Sequence, residues 1–348
     1  MASKATGISI LSLLVAPVAM GETASAYDLC LLETIKKSNG EETIESIRKQ
    51  CELDTVTSTA SVESTTKEPE EPQESLIDKR LESEKQTAFE PFSLVAHRIN
   101  YILPFTYSDR VNKRAYADTK YGDELRKEEA EFQISFKVPM NYDDLLFDGD
   151  GLFFGMTLKS FWQVYSFWQV YTGDASRPFR ETNYRPELFY FTPTSWQPLG
   201  GSTWLGFGIE HESNGQRQEL SRSWNRVYTN LTFAKDNFVA SIQPWWRIPE
   251  DEKTFPNDPK GDDNPDIEDY MGHFELTSAY KWDDYELTVL GRENFKTHKG
   301  YAEIGLLFPI WGKVRGYAQY STGYGKSLID YDHNQQRIGV GIAINGVL

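Results

Sequence analysis

Residues 210–225 read EHESNGQRQELSRSWN, with His211 and Ser213 two positions apart and Asn225 twelve beyond the serine. A serine hydroxyl becomes a nucleophile only when a neighbouring base takes its proton, and an imidazole does this well when a third group fixes its tautomer. An asparagine can be that third group, because its carbonyl accepts a hydrogen bond from the ring. Ser213, His211 and Asn225 could therefore carry out acyl transfer. The bland reading is three polar side chains beside a turn, and short patterns often match by chance. The elements that carry the three residues decide between the two readings.

Residues 1–26 are set apart by Lys4, the apolar run ISILSLLVAPVAM and the small residues Ala24, Ser25 and Ala26. That order is a secretory signal peptide, and it predicts export. Beyond it lie the only two cysteines, Cys30 and Cys51, flanking a helical pattern that turns at Asn39-Gly40. An oxidising compartment predicts a disulfide between them, closing a helical hairpin over 27–51, with this N-terminal segment on the periplasmic side. Residues 52–88 are rich in Glu, Ser, Thr and Pro, and so few apolar side chains predict a disordered acidic linker. The formal net charge of −16 disfavours nucleic acid as a partner.

Residues 89–348 contain no apolar run long enough for a membrane helix, yet apolar residues alternate with polar ones along run after run. Phe132, Ile134, Phe136 and Val138 are interleaved with Glu131, Gln133, Ser135 and Lys137, and the period returns in Phe238–Ile242, Ile304–Ile310 and Ile338–Ile344. A soluble sandwich would alternate as well. Charged side chains kept opposite the apolar face in successive strands, together with export, favour an all-β fold: an antiparallel transmembrane β-barrel of about 12 strands.

In such a barrel Leu205, Phe207 and Ile209 face lipid, so His211 and Ser213 face lipid too. On the returning strand Asn225 shares the side of Val227, Leu231 and Phe233. Pairing His211 with Asn225 puts Ser213 opposite Ser223 and centres the turn on Gln218. The three residues then emerge together on the exterior at the end of the apolar band, where a nucleophile would meet lipid esters.

HESNG followed by SRSWNR, supported by PFRETNYRPELF, DDNPDIEDYMG and TGYGKSLIDY, resembles the outer-membrane phospholipase A family from Phe89 to Leu348. The resemblance implies a twelve-stranded barrel in the Gram-negative outer membrane. It also implies calcium-dependent hydrolysis of phospholipids and lysophospholipids, activated by homodimer formation. Carried over, Ser213 is the nucleophile, His211 the base, Asn225 its orienting partner and the Asn214 amide the oxyanion donor. The implied Ca2+ ligands are the Gln216 carbonyl, Ser221 and, from a second protomer, Ser176; Asp263 matches a ligand of the monomeric state.

Three departures from the family pattern stand out. Gln218 replaces an aspartate of the monomeric calcium site, and Leu158 replaces a glutamine of the dimer interface. SFWQVY occurs twice, at 160–165 and 166–171, where the family has one copy. Six residues preserve the two-residue period, so the extra copy either lengthens its strand or loops out. A passive barrel, porin or adhesin, remains the alternative, with Glu131, Lys137, Arg226 and Gln243 filling its interior.

Overall fold

The structure, a computed structural model, describes residues 75–348 apart from 88–93, 118, 120, 121, 124, 142, 164–178, 217, 256, 257 and 259. The expected signal peptide, the Cys30–Cys51 hairpin and residues 52–74 of the expected linker lie outside the described residues.

After a two-residue strand β1 (Val95–Ala96) come twelve longer ones. They are β2 (Tyr101–Ser108), β3 (Glu128–Pro139), β4 (Gly151–Trp162), β5 (Phe179–Thr194), β6 (Ser202–Ser213) and β7 (Ser223–Lys235), then β8 (Phe238–Ile248), β9 (Phe274–Trp282), β10 (Tyr285–Asn294), β11 (Lys299–Trp311), β12 (Val314–Gly323) and β13 (Gln335–Ala343). Each pairs antiparallel with its sequence neighbours, and β2 pairs with β13, which closes the ring. β1 pairs with the end of β3 that β2 leaves uncovered, Val95 opposite Lys137. A closed antiparallel barrel leaves no strand edge unpaired, which is the condition for crossing hydrocarbon with strands.

Burial is inverted relative to a soluble protein. Ile102, Ile134, Phe207, Ile242, Ile304 and Ile338 are exposed, whereas Glu129, Glu131, Glu210, Arg226, Glu286 and Arg337 are buried. A soluble sandwich would show the opposite, so the apolar face is the lipid face. At one end, two-residue turns join β7 to β8, β9 to β10 and β11 to β12; the loops at the other end include 109–127, 249–273 and 324–334. Short turns mark the periplasmic side of such barrels and long loops the external side.

Ion pairs fill the interior. Fully buried Glu131 accepts from the Tyr101 hydroxyl at 2.7 Å and lies 3.1 Å from Lys326, 3.3 Å from Arg337 and 3.6 Å from Lys159. Arg180 joins Glu129 at 2.6 Å to Asp330 at 3.0 Å. Lys326 and Asp330 belong to the external loop 324–334, which dips into the barrel. Its Leu328 and Ile329 amides donate to Asn183 Oδ1 at 2.9 Å and Glu181 Oε1 at 3.1 Å. Burial alone would raise the Asp330 carboxyl, but the Arg180 guanidinium and the Ser327 hydroxyl hold it below the usual carboxylate range.

The opposite mouth holds helix α1 (Leu76–Thr87), which corrects the sequence reading of 52–88 as disordered throughout. Ser75 and Asp78 cap it reciprocally: the Ser75 amide donates to Asp78 Oδ2 at 2.9 Å and the Asp78 amide to Ser75 Oγ at 3.2 Å. Ile77 and Leu81, one turn apart, pack on Trp204, Ala234, Val239 and Ala279 together with Val347 and Leu348. Arg80 donates to the carbonyls of Ala96, Gly346 and Val347, and Glu84 pairs with Lys137 at 2.8 Å. So small an apolar stripe cannot hold a free helix, but a matching apolar plate inside the mouth can. A cavity of about 630 Å³ remains inside the barrel, with Ile77 and Arg80 of the helix and Lys326 of the loop among its lining.

Glu131→Ala should leave three cations, of which Lys326 and Arg337 are buried, short of their counter-charge. Removing one partner of a buried pair costs about 3–5 kcal/mol, so urea unfolding in detergent should shift to markedly lower denaturant while heat-modifiable gel mobility still reports a barrel at low temperature. An unchanged midpoint would show the network to be dispensable.

Candidate active site

The two-residue period of β6 sends Glu210 and Glu212 inward, where both are buried, and leaves His211 exposed on the outer face. The register is the one expected from the sequence: His211 lies opposite Asn225, and Ser213 opposite Ser223. His211 Nδ1 is 2.8 Å from Asn225 Oδ1. An amide oxygen can only accept, so Nδ1 carries the ring proton and Nε2 is left as the basic nitrogen. Residues i and i+2 on one strand face are roughly 7 Å apart at Cα, a span that the His211 and Ser213 side chains can bridge. Their mutual hydrogen bond is not among those formed in the described residues, and such bonds commonly tighten only around substrate.

Behind the outer face the wall is rigid. Glu212 accepts from Trp224 Nε1 at 3.0 Å and from Arg226 at 3.2 Å; Arg226 also pairs with Glu210 and lies 3.7 Å over the Trp224 ring. On the outer face Tyr184 pairs across from Ser213, and Ile209, Val227, Trp246 and Ile248 are exposed around it. These side chains form an apolar apron beside the polar group. The interior cavity lies on the other side of the strand wall, so a membrane lipid reaching His211 and Ser213 would not enter it.

Asn214 does not have the role expected of it. Its amide donates to the Arg222 carbonyl at 3.1 Å, extending the β6–β7 pairing by one rung. That N–H is spent on strand closure and is not available to an oxyanion. Its side chain organises the loop instead: Oδ1 accepts from the amides of Gln216 at 3.2 Å and Arg222 at 3.0 Å, and Nδ2 donates to the Leu220 carbonyl at 2.7 Å and to Glu181 at 3.3 Å. At the next residue, Gly215, φ is 61°, a conformation that suits glycine. Among the described residues its amide has no hydrogen-bond acceptor.

Of the residues expected to bind calcium, Ser221 and Asp263 are in contact. Ser221 Oγ lies 2.5 Å from Asp263 Oδ2, and Gln216 is in the same loop as Ser221. The donors are oxygen atoms, which fits a hard cation such as Ca2+. Lys253 Nζ, 2.5 Å from the other Asp263 oxygen, supplies positive charge to that carboxylate. Ser176 and the second SFWQVY copy lie outside the described residues. The register of β4 against β5 shifts at Phe161/Trp162, within the first copy, and β4 is described as 12 residues long. Gln218 opens a 3-10 turn, Gln218–Leu220, and Leu158 sits between Ile134 and Tyr184 in the sheet.

Two contributors escaped the sequence reading. Glu250, just past β8, accepts from Asn225 Nδ2 at 3.1 Å. Fully buried Asn264 accepts from the Ser223 amide at 3.0 Å, while Asp262 and Asp266 of the same DDNPD segment bind Arg247 and Tyr331. The clustered acids of DDNPD signalled a site, but their partners come from distant elements.

The family model for Phospholipase A1 matches residues 77–344. A phospholipase A1 of Escherichia coli is 38% identical over 256 residues, covering 73% of this chain and 82% of the relative. The corresponding protein of Klebsiella pneumoniae is 37% identical over 73% of this chain and 83% of its own. Among solved structures, an active-site mutant of Escherichia coli outer membrane phospholipase A superposes with a TM-score of 0.69 at 36% identity, covering 77% of this chain and 98% of that one. A Salmonella typhi outer membrane phospholipase dimer with bound calcium gives 0.68 at 35% identity, with the same coverage.

Asn214→Ala keeps the main chain but strips two loop amides of their acceptor. Each unsatisfied group costs about 1–3 kcal/mol where it is buried, so limited trypsin digestion after Arg222 should become faster in the folded barrel. Unchanged digestion would remove the organising role.

Proposed function

The chain belongs to the phospholipase A1 family and is a Gram-negative outer-membrane barrel enzyme that hydrolyses phospholipids, and from that premise we propose that Ser213, His211 and Asn225 carry the hydrolysis. The observation behind this reading is the 2.8 Å contact between His211 Nδ1 and Asn225 Oδ1 on the lipid face, beside Ser213. His211 Nε2 takes the proton of the Ser213 hydroxyl as its oxygen attacks the acyl carbonyl. The same nitrogen then gives the proton to the leaving lysolipid oxygen, and water, deprotonated in turn, releases the fatty acid. Asn225 is neutral, so it orients the ring without adding charge. The Gly215 amide is the main-chain donor left for the oxyanion.

The Gln216 carbonyl and Ser221, together with Ser176 of the partner subunit, would hold Ca2+, and the bound ion would supply positive charge that favours an oxyanion. The active form is accordingly a homodimer acting on phospholipids and lysophospholipids. Asp263, already paired with Ser221, provides the carboxylate of a monomeric site, and Gln218 makes that site weaker than an aspartate would. A passive porin is less favoured: ion pairs crowd the lumen, α1 sits in one mouth and the Lys326 loop in the other.

Ser213→Ala should abolish hydrolysis of phospholipid in mixed micelles, and His211→Ala should lower it by about 10²–10⁴-fold. Asn225→Ala should leave more activity than either. Chelation should silence the wild type and calcium should restore it. A folded Ser213→Ala protein that still hydrolyses lipid would remove Ser213 as nucleophile.

Deleting residues 166–171 restores a single SFWQVY copy next to Ser176. If the insertion displaces the partner's ligand, by about 20 Å at the strand rise, the deletion should strengthen calcium-dependent cross-linking and activity. Equal cross-linking and calcium response in both proteins would show that the second copy is absorbed locally.

A further inference from the structure

We propose that Glu250 is a positioning residue that selects the working orientation of the Asn225 amide and, through it, the working tautomer of His211. The proposal rests on the reading of His211 as base. Asn225 lies opposite Ile248 at the end of β8, and Glu250, two residues beyond Ile248, accepts from Asn225 Nδ2 at 3.1 Å while Asn225 Oδ1 meets His211 Nδ1 at 2.8 Å. The two ends of a carboxamide have nearly the same shape, so only their hydrogen-bond partners decide which way it points. With Oδ1 toward the ring, Nδ1 is protonated and Nε2 can accept the serine proton. Turned over, the amide would present N–H groups to the ring, which would move the proton to Nε2 and leave no base facing the serine.

A carboxylate at 250 makes the turned-over state unfavourable, because Asn225 Oδ1 would then face a negative acceptor that offers no proton. In the observed orientation the contact is a charge-assisted N–H to carboxylate bond, the stronger kind. A Ser-His-Asp group needs no such device, since both carboxylate oxygens accept. An asparagine can orient the histidine wrongly, and Glu250 removes that choice.

The test uses the full-length protein in mixed micelles. Glu250→Ala should lower kcat by about tenfold, the scale of one hydrogen bond to a charged group, with KM unchanged. Glu250→Gln, whose carboxamide can donate as well as accept and so tolerates either Asn225 orientation, should recover only a small part of the loss. In an Asn225→Ala background, Glu250→Ala should cost nothing further, because the residue acts through Asn225. Nitrogen-15 NMR of the histidine rings, with His211 assigned by His211→Gln, should show a single Nδ1–H tautomer in the wild type and a mixture in Glu250→Ala. That signal needs no turnover, so it separates this proposal from the reading of the catalytic group, which Ser213→Ala tests alone. An unchanged His211 tautomer, or an equal loss in both backgrounds, would overturn the role.

Discussion

The alternation of side chains along each strand is the constraint on which the rest of this protein depends. Hydrocarbon on one side and packed charge on the other leave no freedom to slip by one residue, since a slip would send Glu210 and Glu212 into lipid and His211 inward. The outward position of the candidate group follows from that parity, and so does the rigidity of its support. The acids on either side of His211 are fixed to Arg226 and Trp224 inside the wall. A site on the lipid face of a barrel can be ordered because the strand it shares is anchored from behind.

Much of this was legible in the sequence because a period of two is visible in any strand long enough to cross a membrane. The positions of His211 and Ser213 on one face, and of Asn225 opposite, required only that period and one turn. α1 was not legible. LIDKRLESEKQT offers only Leu76, Ile77 and Leu81 as its apolar residues and otherwise looks like the polar stretch before it; the apolar plate that orders it is assembled from β6, β7, β8, β9 and the chain end. The role of Asn214 was missed for a related reason. Whether an amide is free depends on how far the strand pairing runs, and the extra rung to Arg222 cannot be read from residue types.

The loops extend the same principle above the membrane. DDNPD reads as an acidic cluster, and acidic clusters suggest metal, but in the fold its members are divided among different tasks. Asp262 holds Arg247, Asp263 meets Ser221 and Lys253, Asn264 caps the start of β7, and Asp266 meets Tyr331. The segment ties the β8–β9 loop to the β6–β7 loop and to the loop that enters the lumen, so the rim around Ser213 is cross-braced by three connections far apart in the chain. Glu250 belongs to the same rim.

The contacts of α1 also set an order of events in folding. Arg80 donates to carbonyls of Gly346 and Val347, 266 and 267 residues further along the chain, and the β2–β13 seam joins the two ends of the barrel. Contacts of such sequence separation form late, because the chain between must already be arranged. Until β13 closes the seam, the acceptors for Arg80 and the plate for Ile77 and Leu81 are incomplete, so the helix cannot dock. Resting on both the β6–β9 wall and the chain end, the helix reaches its full set of partners only once the last strand is in place.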